Sequence, residues 1–204
     1  MIKIEIKALQ SKDNKKAIQF AISGMHFELY LKNKTIRNLY GKYFWYLETN
    51  RATHLFAAYE GDVLVGVILA EIKGEPRKYY SKRKAFYVKF VDMIQGIFFK
   101  ESAGLYDEVN KELFAEYTKS TSPDGEIIFL AANPDVKIKG IGTMLLNELE
   151  KHINGKTIYL FTNNACTYQF YEHRGFDRVG EKDIELDFGD KKVPMTCLLY
   201  SKNV

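Results

Sequence analysis

The sequence predicts a mixed α/β fold, and three stretches carry the prediction. The opening MIKIEIKALQ alternates apolar and polar residues with the period of a strand. HLFAAYEGDVLVGVILAEI, His54 to Ile72, sets two apolar runs on either side of a Gly-Asp dipeptide, the pattern of a hairpin. From Gly125 onward, short apolar runs alternate with runs of helical period.

Taken in order, Ile2, Ile4 and Ile6 form the buried face of a first strand. Asp13 to Ser23 reads as a short helix with Ala17, Ile18, Ala21 and Ile22 as its apolar stripe. Phe27 to Leu47 is aromatic and reads as helical. After the hairpin comes an excursion, Lys73 to Pro123. Within it, AFYVKFVDMIQGIFF and EVNKELFAEYTK have helical period and no strand alternation. GEIIFLAANP is a buried strand that stops at Asn-Pro. A helix follows from about Ile141, with Leu145, Leu149 and Ile153 on one face and Asn154-Gly155 at its end. KTIYLF is the next strand, followed by a helix from about Ala165 to Arg174 with Gly175 placed to cap it. FDRVGEKDIELDF and VPMTCLLYS are the closing strands. The strands on both sides of the excursion are needed for one sheet. The expectation is therefore a single domain over residues 1–204 with a helical insertion at about 73–123.

A length of 204 residues with 46% hydrophobic and 27% charged composition suits one packed globular domain. A net charge of +4 suits an anionic ligand and falls well short of what argues for nucleic acid. The excursion's PRKYYSKRKAFYVKF interleaves basic and aromatic residues, which leaves a partner-binding role for it open. Cys166 and Cys197 form no spaced cluster, and His26, His54, His152 and His173 have no triad or metal spacing, so no metal is expected. No apolar run reaches membrane-spanning length and the N-terminus lacks an apolar leader block, so the expected location is cytoplasmic, off the membrane.

The chemistry concentrates at KIKGIGTMLLNELE, Lys137 to Glu150. A strand, a loop with two lysines, Gly-x-Gly and a helix follow one another. A helix start offers unpaired N–H groups and about half a positive charge, and glycine admits a bulky anion to the backbone. With Lys137 and Lys139 beside it, the segment is a candidate phosphate cradle; a turn that merely needs glycine is the alternative. A nucleotide P-loop needs Lys-Ser/Thr after its last glycine, but Gly142 precedes Thr143-Met144. A dinucleotide fingerprint needs a third glycine where Leu145 stands.

A third pattern fits. Lys137-Ile138-Lys139-Gly140-Ile141-Gly142 resembles the acetyl-CoA motif of the GNAT acetyltransferase superfamily, Gln/Arg-x-x-Gly-x-Gly/Ala, with Lys at its first position. Downstream, NNACTYQFYEHRGF resembles the same family's second motif. Asn164, Phe170, Tyr171, Gly175 and Phe176 fall on it, and Thr167 takes the place of the usual alanine. The resemblance covers about residues 125–179 and is silent on Phe27 to Leu47 and on the excursion.

The resemblance implies a central, mostly antiparallel twisted sheet with helices on both faces, its middle strands splaying where CoA enters. It implies an N-acetyltransferase using acetyl-CoA as cosubstrate, with a small-molecule or peptide amine attacking the thioester directly. By it, the backbone of Leu130, Ala131 and Ala132 holds the pantetheine, and Lys137, Ile138, Lys139, Gly140, Ile141, Gly142 and Thr143 hold the pyrophosphate. Tyr171 is the general acid toward the leaving thiolate. Glu126, fourteen residues before Gly140, matches the catalytic glutamate of one branch, with a water chain as the alternative base. Asn164 could cap its helix and touch the CoA arm, while Thr167 and Phe170 line it. Two other readings stay open: a silent CoA-binding sensor, and a partner-binding module. The last strands leave a homodimer possible, and the amine itself is not legible.

Overall fold

A computed structural model describes residues 4–98, 102–133, 136, 138–187 and 192–204. Ile2, Pro134 and Lys137 lie outside the described residues. The helices are α1 (Asn14–Gly24), α2 (Phe27–Tyr30), α3 (Lys34–Arg51), α4 (Lys82–Phe98), α5 (Ser102–Tyr117), α6 (Ile141–His152) and α7 (Gln169–Glu172). The strands are β1 (Ile4–Lys7), β2 (His54–Glu60), β3 (Val63–Ile72), β4 (Gly125–Ala132), β5 (Thr157–Asn163), β6 (Asp177–Asp187) and β7 (Lys192–Asn203). The strand order is β1-β2-β3-β4-β5-β7-β6. The β1–β2, β2–β3, β5–β7 and β6–β7 pairs are antiparallel, and β4 pairs with β5 in parallel. This is the expected mixed α/β fold with a mostly antiparallel sheet. No helix among the described residues is long and apolar enough to cross a membrane.

The chain forms two compact units, residues 1–88 with 127–154, and residues 89–126 with 155–204. In the first, β2 and β3 make the expected hairpin, and Gly61 supplies the turn's positive φ of 57°. β3 is buried on both faces. On one face Val67 and Leu69 join Ala17 and Phe20 of α1, Trp45 of α3, and Phe129 of β4 in a single apolar core. Trp45 is fully buried, its ring edge-on to Phe129 at 6.5 Å and its Nε1 3.4 Å from Asn14 Oδ1. The other face receives α6. A Cβ at Gly66 would lie 2.7 Å from Ile141 and 3.0 Å from Leu145, so only glycine lets the helix come this close.

The aromatic stretch from Phe27 is not one helix. His26 takes a left-handed φ of 52°, α2 lasts a single turn, and Leu31 is extended. Asn33 then restarts the chain as α3, its Oδ1 accepting from Thr35 N at 2.9 Å and Ile36 N at 3.2 Å.

In the second unit, α5 packs on β6 and β7. A Cβ at Gly180 would touch Leu113 at 3.3 Å, and Tyr117 Oη lies 2.6 Å from Ser201 Oγ. Thr157 N donates to Asp124 Oδ2 at 2.7 Å, and Asp124 N donates to Thr157 O at 2.6 Å. These bonds fix the start of β4 beside β5, where the parallel ladder is Gly125 with Ile158 and Glu126 with Tyr159. The two helical runs of the excursion are α4 and α5, as expected.

Candidate active site

The first unit carries the candidate cradle. β4 ends at Ala132, with Leu130 half-buried, Ala131 buried and Ala132 exposed. Asn133 N donates to Val65 O at 2.8 Å, which ties the end of β4 to β3. Gly140 then takes φ 85° and ψ 7°, a left-handed conformation that favours glycine, and stands as the N-cap of α6. A Cβ there would meet nothing within 4 Å, so the space over this turn is open.

Among the described residues no side chain caps α6. Its first internal bond runs from Met144 N to Gly140 O at 3.0 Å. The N–H groups of Ile141, Gly142 and Thr143 therefore have no acceptor within the helix and none from a cap among the described residues. Twelve residues of helix dipole end on this open turn, with the exposed Lys139 just before it. The side of Ile141 facing the sheet is buried, which anchors the turn while Gly142 and Thr143 stay half-exposed. The arrangement fits a pyrophosphate: oriented donors, positive potential and room.

The second unit carries the residues of the downstream motif. Tyr171 lies in α7, half-buried among the rings of Phe170 at 5.3 Å, Phe176 at 5.6 Å and Tyr200 at 6.3 Å. Its hydroxyl has no hydrogen-bond partner among the described residues. Burial, with a smaller contribution from the Cys166 thiol, pushes its pKa well above the usual tyrosine value. It therefore stays a proton donor throughout the physiological range. Glu126, at the start of β4, accepts from Tyr159 Oη at 3.3 Å.

Against the protein-family models, residues 25–176 match the Acetyltransferase (GNAT) family. The chain belongs to this family. It is thus an acyltransferase, and the match runs through both units. No curated protein matches it by sequence. Among solved structures it resembles a histone acetyltransferase HPA2 and related acetyltransferase from Corynebacterium glutamicum, at 16% identity and TM-score 0.59, covering 96% of this chain and 94% of that one. It resembles NAA60 of Arabidopsis thaliana, solved with a bisubstrate analogue, at 13% identity and TM-score 0.56, covering 98% and 97%. It also resembles the PaiA N-acetyltransferase of Thermoplasma acidophilum, solved with coenzyme A, at 15% identity and TM-score 0.52, covering 99% of each chain. These likenesses are of fold.

Two expectations for the GNAT downstream motif need correction. The helix expected over about Ala165 to Arg174 is only Gln169–Glu172. Asn163 Oδ1 accepts from Ala165 N at 2.9 Å, and this local bond holds the preceding residues in a turn. Asn164 does not cap the helix. Its Oδ1 accepts from Thr196 N and its N donates to Thr196 O, both at 3.1 Å, which fastens the loop to β7. Thr167 is exposed and Phe170 half-buried. Gly175 does cap α7, with φ 78°; Phe176 N donates to Tyr171 O and Gly175 N to Glu172 O, each at 3.1 Å.

Sequence reasoning missed a polar cluster in the same unit. Burial pushes the Tyr106 phenol up to about 12, against hydrogen bonds with the Asn110 and Asn163 side chains. Asn110 Oδ1 is buried with no partner among the described residues. Burial also raises the Cys166 thiol, which disfavours the thiolate and argues against a nucleophile. Among the described residues no group of three or more His, Cys, Asp or Glu could hold a metal ion.

These buried phenols make the stability sensitive to alkali. Tyr106 and Tyr200 are both raised from 10.0 to about 12. A raised folded pKa means that the unfolded chain loses its proton first. The stabilisation is complete below pH 10 and lost as pH rises toward 12. Denaturant melts should show a falling midpoint across that window. Tyr106→Phe should reduce the fall, and an unchanged pH profile in that variant would overturn the assignment to Tyr106.

Proposed function

We propose that this GNAT chain moves an acetyl group from acetyl-CoA to a primary amine by direct attack, with both substrates bound. The observation that carries the reading is the uncapped start of α6 behind a left-handed Gly140, inside the segment that the family model matches. The pyrophosphate is held by the Ile141, Gly142 and Thr143 N–H groups, with charge from Lys139 and Lys137. The backbone of Leu130, Ala131 and Ala132 holds the pantetheine arm, and a N–H near Leu130 stabilises the thioester oxyanion. One such donor is worth about 3–4 kcal/mol.

In the reaction the amine nitrogen bonds to the carbonyl carbon, the C–S bond breaks, the thiolate takes a proton from Tyr171, and the proton shed by the new amide nitrogen returns through water to the tyrosinate. The ammonium proton leaves beforehand to Glu126 or to a water chain. Glu126's hydrogen bond from Tyr159 fixes one carboxylate oxygen. Most of the rate comes from holding the two substrates together, since effective molarities reach roughly 10⁵–10⁸ M. Small side chains at Ala131 and Ala132 favour close approach of the arm. The family match through both units supports treating residues 1–204 as one acetyltransferase domain.

Calorimetric titration with acetyl-CoA, ATP and NAD in parallel tests the cradle. Acetyl-CoA alone should bind. Gly142→Val, which crowds the first turn of α6, should weaken that binding roughly tenfold to hundredfold, the value of hydrogen bonds to a charged group. Preference for ATP or NAD, or undiminished acetyl-CoA binding by the variant, would sink this reading.

A further inference from the structure

The first unit contains a groove of about 520 Å³ that the cradle does not use. Its floor is apolar, built from Phe20 and Ile22 of α1, both buried. Asn133, the residue directly after Ala131 and Ala132 of β4, also lines the groove. The end of α1 packs against the same strand: a Cβ at Gly24 would lie 3.3 Å from the Ala131 Cβ and 3.3 Å from the Phe129 ring. The groove therefore opens alongside the strand residues that the proposed function gives to the thioester end of acetyl-CoA.

Its walls are basic. Lys16 of α1 and Lys34 and Arg37 of α3 line it, against one carboxylate, Glu28. Glu28 is already in contact with His26 Nδ1 at 3.4 Å. None of the three cations makes an ion pair among the described residues. Lys16 lies 5.9 Å from the Phe20 ring, and Arg37 donates only to the Leu31 carbonyl, at 3.4 Å. Lys34 and Arg37 also break a rule of helix electrostatics. They occupy the first turn of α3, where the dipole is positive and a carboxylate would be favourable, and that turn contains no acidic residue. Packing does not explain them, since Lys34 is exposed and Arg37 half-buried. Cations gathered where they repel the helix end point to an anion that belongs there.

We propose that this groove is the acceptor site and that the acceptor amine carries an anionic group, a carboxylate or a phosphate, held by Lys16, Lys34 and Arg37. Arg37 can grip either anion with two parallel N–H donors, while the lysines act as point charges. Phe20 and Ile22 cover the short apolar stem joining amine and anion, and the amine end lies toward Asn133. This specificity rests on the acetyl-transfer reading, but binding tests it separately.

The test uses the whole protein saturated with acetyl-CoA. Paired probes differ only in the anion: ω-amino acids from β-alanine to 6-aminohexanoate against alkylamines of equal length, and 3-aminopropylphosphonate against propylamine. Calorimetry reads binding and thiol release reads turnover. At least one anionic probe should bind about tenfold or more tightly than its neutral partner, with the margin shrinking as salt is raised. Lys34→Gln/Arg37→Gln should remove most of that margin while leaving the melting temperature and acetyl-CoA affinity unchanged. Whichever anion binds better, carboxylate or phosphonate, identifies the group. Equal binding within every pair, or a margin that survives the double variant, would overturn the proposal. So would a double variant that loses affinity for acetyl-CoA but not for its 3′-dephospho form, because the cations would then serve the cosubstrate. Anion-dependent binding without thiol release would uphold the groove and sink the transfer reading instead.

Discussion

Tyr171→Phe should lower kcat roughly 10²–10⁴-fold, the usual value of a positioned acid, and leave acetyl-CoA affinity nearly unchanged. The variant keeps the ring that packs against Phe170, Phe176 and Tyr200 and removes only the hydroxyl. That hydroxyl has no partner among the described residues, so its removal leaves no orphaned group and should cost little stability. Activity and melting temperature should therefore separate. The pH profile supplies a second readout. Since burial raises the phenol well above its ordinary value, the wild-type rate should not fall as pH passes through 10 on account of this group. Equal turnover by variant and wild type would remove Tyr171 as the acid. A parallel loss of stability and rate would reduce it to a packing residue.

Where the sequence was legible, one short-range rule decided the structure. The Gly61-Asp62 hairpin followed from turn chemistry flanked by apolar runs, and α6 from a Gly-x-Gly start with a three-to-four residue stripe ending near Gly155. Each of these stretches has no strong local competitor. Legibility failed where two local preferences competed. Asn163 bonds to the backbone two residues on, Asn164 is tied across to Thr196 of β7, and α7 has four residues where its pattern suggested ten. Asn33 bonds forward and starts a new helix inside an aromatic run that reads as continuous. That signal was in the sequence, an Asn followed by helix formers, but the periodicity on either side masked it. The proposed cradle could be suggested from the sequence because its residues are adjacent in the chain. The basic groove could not, because Lys16 comes from α1 and Lys34 and Arg37 from α3, and only the fold sets them around one space.

Gly66→Ala should be strongly damaging, although it adds a single methyl group. The new carbon would sit 2.7 Å from Ile141 Cγ2, 3.0 Å from Leu145 Cδ1 and 3.1 Å from the Ala131 carbonyl oxygen. Burial leaves them little room to give way: Ile141 is 2% exposed, Leu145 is fully buried and the third is backbone. Overpacking of this kind costs about 1–3 kcal/mol. The three atoms also belong to the first two turns of α6 and to the end of β4, the two pieces that the proposed function assigns to pyrophosphate and pantetheine. Relief of the clash must move one of them, so acetyl-CoA affinity should fall together with the denaturation midpoint. Ile141→Ala in the same background removes the nearest obstructing carbon. The pair should cost less than the sum of its single substitutions, by roughly 0.5–3 kcal/mol, in stability and in binding alike. Additive costs would mean that α6 does not set the close approach at Gly66. A drop in stability with unchanged acetyl-CoA binding would detach the cradle from this face of β3 and require the pyrophosphate to sit elsewhere.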